Sequence, residues 1–254
     1  MKRQAAELTW LGHATVIVDL DGLRVLTDPV IRSRLGPLVN RAAFAGAGAA
    51  DGVDLVLLSH LHHDHADARS LRRLDPGTPV IAARGAARWL RRQGLSSVRE
   101  LVPGGSTEAG GLTITAVKAT HDGRRYPFPR SEAQHAVGFV IRGSRRVYFA
   151  GDTDLFPEMA DLAGQVDAAL LPVGGWGPGL GPGHLDPERA AEAARIIGPR
   201  IAIPIHWGTL ALPRLLRWRT PHEAAGPRFA ELAARLAPAV EVRVLTPGEP
   251  TTVP

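Results

Sequence analysis

The chain has 254 residues, and its 30 Lys and Arg against 25 Asp and Glu give a formal net charge of +5. Hydrophobic residues make up 44% of the chain and charged residues 22%, a composition that excludes an intrinsically disordered protein. The chain contains no cysteine, which excludes disulfide bonds, cysteine-based zinc fingers, iron–sulfur clusters and cysteine nucleophiles.

Charge and hydropathy patterns also limit the partners that we expect. The basic residues are mostly Arg scattered along the chain without a block of like charges, so we expect no nucleic-acid partner. No stretch approaches the ~20 apolar residues of a membrane span, and the N-terminus lacks the apolar core of a signal peptide. We therefore expect a cytoplasmic protein without a membrane span. The sequence carries no signal for the oligomeric state.

Apolar runs separated by Gly, Pro and Asp predict ten strands, with a tight Asp-Gly turn between the second and the third. The predicted strands are 7–10, 14–20, 23–27, 53–59, 112–118, 137–142, 146–150, 167–173, 200–205 and 240–245. Helical patterns lie between them, near 66–74 and at 82–93, 187–197 and 222–237. Asp186 is the expected N-cap of the third helix, with Pro187 at its first position.

This order of strands and helices predicts the fold class. Strand pairs followed by alternating strands and helices are typical of an α/β layered fold. We expect one domain over residues 1–254, since no repeat or low-complexity linker interrupts the chain. The Gly- and Pro-rich stretch 172–186 is predicted to be a shaped surface loop between a strand and a helix.

Four histidines lie within six residues, directly after the apolar strand predicted at 53–59. The stretch reads Ser59-His60-Leu61-His62-His63-Asp64-His65-Ala66-Asp67. A protein core does not tolerate so many polar rings without partners, whereas imidazole and carboxylate groups are ligands of Zn²⁺ and similar divalent ions. Alternation along an extended segment puts His60 and His62 on one side of it. The pattern predicts a metal site at the end of this strand.

Three later polar residues also follow predicted strands, namely His121, Asp152 and His206. HLHHDH matches the HxHxDH signature of the metallo-β-lactamase superfamily, and these three residues occur in the order that its members show. The stretches WLGHATVIVDLDGLRVLTDP, FAGDTD, HLDPERA and IHWGT resemble one branch of that superfamily. The branch includes L-ascorbate-6-phosphate lactonase and the phospholipase D that hydrolyses N-acyl-phosphatidylethanolamine.

The resemblance implies a four-layer αββα sandwich, with two mixed sheets flanked by helices and a two-metal site where the sheets meet. It also implies seven ligands in three sets. These are His60, His62 and His121 for the first ion; Asp64, His65 and His206 for the second; and Asp152 as the bridge. Zinc is the expected metal, and manganese and iron also suit an all-His/Asp ligand set.

A metal-bridging hydroxide would then be the nucleophile, because two ions about 3.5–4 Å apart lower the pKa of a shared water. We therefore expect a dinuclear hydrolase of an ester, lactone or phosphodiester bond in a small, anionic substrate. Asp64 and Asp152 would serve catalysis as well as metal binding. Two alternatives stay open: a phosphodiesterase acting on lipid or nucleic acid, and a non-hydrolytic protein that handles oxygen at iron.

Other residues are predicted to support this site. We expect Asp28 to orient a ligand histidine and His13 to pack beside the site. His184, in the Gly-rich loop, is a candidate proton donor to the leaving group. The candidate substrate-binding residues lie in the loop after His121, just before the next strand, or in the Gly-rich loop. They are Arg124, Arg125, Tyr126, His135 and Trp176.

Overall fold

A computed structural model describes residues 5–42, 48, 51–125, 135–177, 179–213 and 221–254. Seventeen strands lie in these ranges. They are β1 Ala6–Gly12, β2 Thr15–Leu20, β3 Leu23–Thr27, β4 Arg34–Leu35, β5 Leu38–Asn40, β6 Leu55–Leu58, β7 Val80–Ala83, β8 Val98–Leu101, β9 Ser106–Ala109, β10 Leu112–Asp122, β11 His135–Arg142, β12 Arg146–Phe149, β13 Ala168–Pro172, β14 Ile201–Ile205, β15 Leu210–Ala211, β16 Glu241–Val242 and β17 Pro250–Val253.

Four α-helices accompany the strands in the described ranges. They are α1 Ala68–Leu71, α2 Ala87–Arg92, α3 Pro187–Ile197 and α4 Ala225–Leu236. Short 3₁₀ helices cover Pro157–Leu162 and Pro221–Ala224. None of these helices has both the length and the apolarity that a membrane crossing requires.

Two mixed seven-stranded sheets form the centre of the fold. The first has the order β17-β1-β2-β3-β6-β7-β8, antiparallel as far as β3 and parallel beyond it. The second has the order β16-β14-β13-β12-β11-β10-β9, parallel as far as β12 and antiparallel beyond it. A small antiparallel sheet has the order β15-β5-β4.

Three apolar clusters hold the layers together. The largest contains residues of both large sheets, so it lies between them. Side chains alternate across each strand. In β6, Leu55 and Leu57 therefore join this central cluster, while Val56 and Leu58 belong to a second cluster with residues of α1 and α2. A third cluster joins the second sheet to α3 and α4. The fold is the expected four-layer αββα sandwich.

The third predicted helix is confirmed, including both of its expected N-terminal signals. Asp186 is the N-cap of α3, and its carboxylate accepts a hydrogen bond from the backbone N–H of Arg189 at 2.8 Å. Pro187 begins the helix, where its missing N–H costs no hydrogen bond. Gly198 ends it with φ of 57°, a left-handed conformation that glycine adopts at little cost.

The helix predicted over 82–93 is wrong in its first part. Residues Val80–Ala83 form the parallel strand β7, and the helix covers only Ala87–Arg92. The Ala- and Arg-rich sequence gives no sign of the change from strand to helix. This change occurs at Gly85, where φ is 92°. The helix predicted near 66–74 is also shorter, at Ala68–Leu71. Several short or edge strands, including β8, β9 and β17, have no counterpart in the prediction.

Candidate metal centre

Parallel strands of both large sheets end at the candidate site. His60 follows β6 in the first sheet, and His206 follows β14 in the second. Asp152 follows β12, while His121 lies near the end of β10. Because these strand ends meet at one edge of the sandwich, side chains that are far apart in sequence come together there.

Three of the predicted ligands form one imidazole group. Ligand nitrogens of His60, His62 and His121 all lie within 4.8 Å of one another. Nε2 of His121 is 3.1 Å from Nδ1 of His62. This group corresponds to the ligand set implied for the first ion.

A second group contains His13, Asp64, His65 and His206, again with ligand atoms within 4.8 Å of one another. Nε2 of His65 is 3.1 Å from Nε2 of His206. Oδ2 of Asp64 lies 3.9 Å from Nε2 of His65 and 3.8 Å from Nε2 of His206. The group therefore contains the three residues implied for the second ion, together with His13.

Asp152 lies between the two groups. Its Oδ2 is 3.1 Å from Nε2 of His65, and its Oδ1 is 3.2 Å from Nε2 of His206. On the other side, Oδ2 lies 3.9 Å from Nε2 of both His60 and His121. One carboxylate thus reaches both groups, which is the placement that a bridging ligand requires.

The donor set fits divalent metal ions. Nε2 of His60 and Oδ1 of Asp152 are buried and have no hydrogen-bond partner, although His206 lies close to the latter. An unsatisfied buried polar atom costs free energy, and coordination of an ion would satisfy both of these atoms. Imidazole nitrogens and carboxylate oxygens suit zinc, manganese and iron alike.

Asp28 and Ser59 contact the Nδ1 atoms of two of the histidines, His65 and His60. Oδ2 of the fully buried Asp28 lies 2.7 Å from Nδ1 of His65, a distance at which the imidazole N–H donates to the carboxylate. Ser59 donates to the same carboxylate from its backbone N–H and from its hydroxyl, whose oxygen is also 2.9 Å from Nδ1 of His60. Such partners fix the ring orientation and leave Nε2 free to face an ion.

Backbone carbonyls fix two further rings. Nδ1 of His121 lies 2.9 Å from the carbonyl oxygen of Gly183, and Nδ1 of His206 lies 2.8 Å from that of Gly174. Each ring therefore donates from Nδ1 and presents Nε2 to the cluster. Both carbonyls belong to the Gly-rich loop, so this loop orients one histidine of each group.

The environment shifts the pKa values of the ligand candidates in different directions. Burial alone would lower the pKa of His65, but the carboxylates of Asp152 and Asp64 raise it well above its usual range. Burial lowers the pKa of His62 to about 4 and that of His206 to about 3, so both imidazoles are neutral near pH 7. Burial alone would raise the pKa of Asp152, but the imidazoles of His206 and His65 hold it well below its usual range. Neutral imidazole and ionised carboxylate are the forms that bind metal.

Asp64 also has partners outside the ligand set. Its Oδ2 accepts a hydrogen bond from the indole N–H of Trp176 at 2.8 Å and lies 3.0 Å from Nε2 of His13. His13 is almost completely buried, and its backbone N–H donates to Oγ1 of Thr209. These contacts hold the Asp64 carboxylate in one orientation beside His65 and His206.

A cavity of about 450 Å³ opens next to the cluster. Its described lining combines the histidine-rich loop with the Gly-rich loop and includes His62, Asp64, Asp152, Trp176 and His184. A space of this size accommodates a small molecule. The imidazole of His184 faces Asp152, with 3.4 Å between Nε2 and Oδ2, and its side chain is 22% exposed.

A family model described as a β-lactamase superfamily domain matches residues 23–207 of the chain. The chain belongs to the metallo-β-lactamase superfamily. It is a metal-dependent hydrolase of that superfamily, as the prediction from HLHHDH and the three later ligands indicated.

Curated relatives and a solved structure agree with this assignment to the metallo-β-lactamase superfamily. A UPF0173 metal-dependent hydrolase of Methanopyrus kandleri is 34% identical over 248 residues, which cover 95% of this chain and 97% of that protein. The metallo hydrolase Igni18 of Ignicoccus hospitalis superposes with a TM-score of 0.76 at 27% identity, and the match covers 98% of each chain.

A third relative is the N-acyl-phosphatidylethanolamine-hydrolyzing phospholipase D 1 of Caenorhabditis elegans. It is 34% identical over 225 residues, which are 79% of this chain. The matched region spans only 63% of the nematode protein. The branch suggested by the sequence motifs is therefore represented among the relatives of this metallo-β-lactamase superfamily member.

The described residues among the five substrate-binding candidates lie in different places. Trp176 lines the cavity, whereas Arg124 is half-buried and forms several hydrogen bonds with the carboxylate of Asp122. His135 begins β11 and is exposed, outside the described lining of the cavity. Tyr126 lies outside the described residues.

Arg125 makes contacts that the sequence analysis did not anticipate. Its guanidinium donates to backbone carbonyls of the histidine-rich loop and lies over the ring of Trp89. No role was predicted for Ser59, although it is the last residue of the strand predicted at 53–59 and directly precedes His60. A hydroxyl directly before a ligand histidine was the available signal.

Proposed function

We propose that this chain is a dinuclear metal-dependent hydrolase that cleaves an ester, lactone or phosphodiester bond in a small, anionic substrate. The position of the Asp152 carboxylate between two groups of ligand atoms carries the proposal. Its oxygens approach His65 and His206 at 3.1 and 3.2 Å, and His60 and His121 at 3.9 Å. A mononuclear site would need no carboxylate in this position.

In this proposal His60, His62 and His121 would hold one ion, Asp64, His65 and His206 would hold the other, and Asp152 would be a ligand of both. Bound divalent ions supply a water of lowered pKa and an electrophile that polarises the substrate oxygen. Zinc is the metal that we propose, and element analysis distinguishes it from manganese and iron.

The remaining residues would prepare the site for substrate. Asp28 and Ser59 hold His65 and His60 in place, so that the ligand set needs little rearrangement. His184 lines the cavity, and its Nε2 lies 3.4 Å from Oδ2 of Asp152. From this position Nε2 can pass a proton to a leaving group. Trp176 closes one wall of the cavity and donates to Asp64.

A small, anionic substrate follows from the cavity and from the charge of the ions. A volume of about 450 Å³ suits a small molecule better than a polymer. Two divalent cations at its floor would attract a phosphate or carboxylate group.

The bond class is tested with the metal-loaded protein and three probes: bis(p-nitrophenyl) phosphate, a simple lactone and a β-lactam. We expect turnover of the phosphodiester or the lactone, and we expect chelator treatment to abolish it. Variant His184→Gln should lower kcat more than it raises KM if this residue transfers a proton in the rate-limiting step. Full activity in chelator-stripped protein would contradict the proposed mechanism.

A second candidate function is hydrolysis of a phospholipid phosphodiester bond. The 34% identity with the nematode phospholipase favours this candidate, although that match spans 63% of the relative. Mixed micelles that contain N-acyl-phosphatidylethanolamine test it directly. Release of phosphatidic acid that depends on added metal would support a lipid substrate over a small soluble one.

A further inference from the structure

One nitrogen of Arg125 donates hydrogen bonds to two points of the loop that carries four of the predicted ligands. Its Nη1 donates to the carbonyl oxygens of Leu61 at 3.0 Å and of Ala66 at 2.9 Å. These two carbonyls flank the segment 62–65, which contains three of those ligands, and His60 lies directly before Leu61. A single guanidinium therefore ties together the two ends of the segment that must hold its side chains around the ions.

The loop has little regular structure of its own to maintain this shape. It connects the end of β6 at Leu58 to the start of α1 at Ala68. Within it, the backbone N–H groups of His65 and Ala66 donate to the carbonyl of His62, which makes one tight turn. Contacts from outside the loop are needed to fix the position of this turn relative to the rest of the site.

Arg125 itself is fixed by groups on two other segments. Its Cζ lies 4.1 Å from the ring centroid of Trp89, which belongs to α2, in the arrangement of a cation–π contact. Its Nη2 lies 3.0 Å from Nδ1 of His63. Leu61 also donates from its backbone N–H to the carbonyl of Gly123, just before the arginine.

Arg125 also connects the two ligand-bearing segments of the first group. It lies four residues after His121, so its contacts with Leu61 and Ala66 link the end of β10 to the loop that carries His60 and His62. Lysine is a poor substitute here. Only the planar fork of arginine combines several directed donors with stacking on an aromatic ring.

We propose that Arg125 is a positioning residue that holds the metal-binding loop, with Trp89 as its support, and that it does not bind substrate. The guanidinium faces backbone carbonyls and the Trp89 ring, which differs from the substrate-binding role predicted from the sequence. Arg125 thereby sets the affinity and geometry of the metal site without contacting the ions. This inference rests on the metal site described under the proposed function.

The first experiment titrates chelator-stripped protein with Co²⁺ and follows the ligand-field absorption bands, whose intensity reports the coordination geometry. Variants Arg125→Ala and Arg125→Lys should each weaken Co²⁺ binding by about 10–100-fold, the usual effect of losing a residue that orients metal ligands. Trp89→Leu should weaken binding less, and Trp89→Phe should stay near wild type because it keeps an aromatic ring. Arg88→Ala, an exposed arginine on the same helix, is the matched control and should leave binding unchanged.

Amide hydrogen exchange of the metal-free proteins provides a second readout that needs no metal. We expect Arg125→Ala to speed exchange at His65 and Ala66 while the amides of β13 keep their protection, which also shows that the variant is folded. Unchanged exchange together with unchanged Co²⁺ affinity would overturn the proposal. So would a raised KM for an anionic substrate with metal affinity intact, since that pattern identifies a substrate contact.

The two proposals fail in distinguishable ways. Wild-type protein that takes up no Co²⁺ contradicts the dinuclear hydrolase, while the hydrogen-exchange comparison still decides whether Arg125 holds the loop. Wild-type protein that binds Co²⁺ with the same affinity and spectrum as Arg125→Ala and Arg125→Lys contradicts the positioning role alone.

Discussion

Oδ2 of Asp28 lies 2.7 Å from Nδ1 of His65, and both side chains are completely buried. The contact joins the residue after β3 to a candidate ligand histidine in the loop after β6. The carboxylate fixes which nitrogen of the ring carries the proton, so Nε2 faces Asp152 and His206. Removal of this acceptor should therefore change metal binding at a distance from the ions.

We expect Asp28→Asn to lower metal affinity by about 10–100-fold, because an NH2 group replaces one carboxylate oxygen and both oxygens accept hydrogen bonds: Oδ2 from His65 and the Ser59 hydroxyl, Oδ1 from the Ser59 backbone N–H. Asparagine tolerates the positive φ of 32° at this position, so the backbone conformation is retained. Competition with a chromophoric chelator measures the affinity. The matched control is Asp54→Asn. Asp54 is exposed and lies directly before Leu55, the first residue of β6. Equal affinity in Asp28→Asn and wild type would contradict this role.

Gly151 should be essential for the close approach of the Asp152 loop to Ser59. Its φ is +61°, and an added Cβ would lie 2.6 Å from Cβ of Ser59 and 2.9 Å from its Oγ. Gly151→Ala should therefore lower the free energy of unfolding by more than backbone strain alone would lower it. It should also displace Ser59 from Asp28.

Gly164→Ala separates the two effects in this experiment. Gly164 has a similar φ of +68°, but an added Cβ meets nothing within 4 Å. We expect it to lose only the roughly 1–2 kcal/mol of a left-handed alanine. Urea denaturation of both variants makes the comparison, and equal losses would show that the contact with Ser59 has no energetic importance.

Metal removal should destabilise the fold, because an ion that binds only the folded state adds to its stability. Metal at about 100 times its dissociation constant adds about 2.7 kcal/mol to the free energy of unfolding. Thermal unfolding with chelator, and again after excess Zn²⁺ is restored, measures this effect. A Tm that responds to neither treatment would be inconsistent with a folded-state metal site.

The candidate ligands were predictable from sequence for a physical reason. His60, Asp152 and His206 follow apolar strands closely and His121 lies next to the last residue of one, and the sandwich brings these strand ends to a common edge. The layer order could be predicted from the same alternation of strands and helices together with the family resemblance.

Other features depend on contacts that no local pattern reveals. Strand β17 pairs with β1, with Ala6 opposite Val253, so its partner lies at the other end of the chain. The direction of the Arg125 side chain depends on Trp89, which belongs to a helix of a different layer. Strand β7 was missed, and its last two residues were assigned to a helix, because an Ala-rich run suits a helix as well as a buried strand.

The most direct test of the dinuclear site is the metal content, by element, of wild type and of Asp152→Ala. We predict about two ions per wild-type chain, and at most one in the variant together with loss of hydrolysis, since this carboxylate lies 3.1 Å from His65 of one group and 3.9 Å from His121 of the other. Asp154→Asn, in the same loop but paired with Arg189, should keep the wild-type content. Wild-type protein that holds no metal after incubation with Zn²⁺, Mn²⁺ and Fe²⁺, or an Asp152→Ala variant that binds two ions and remains active, would contradict the account.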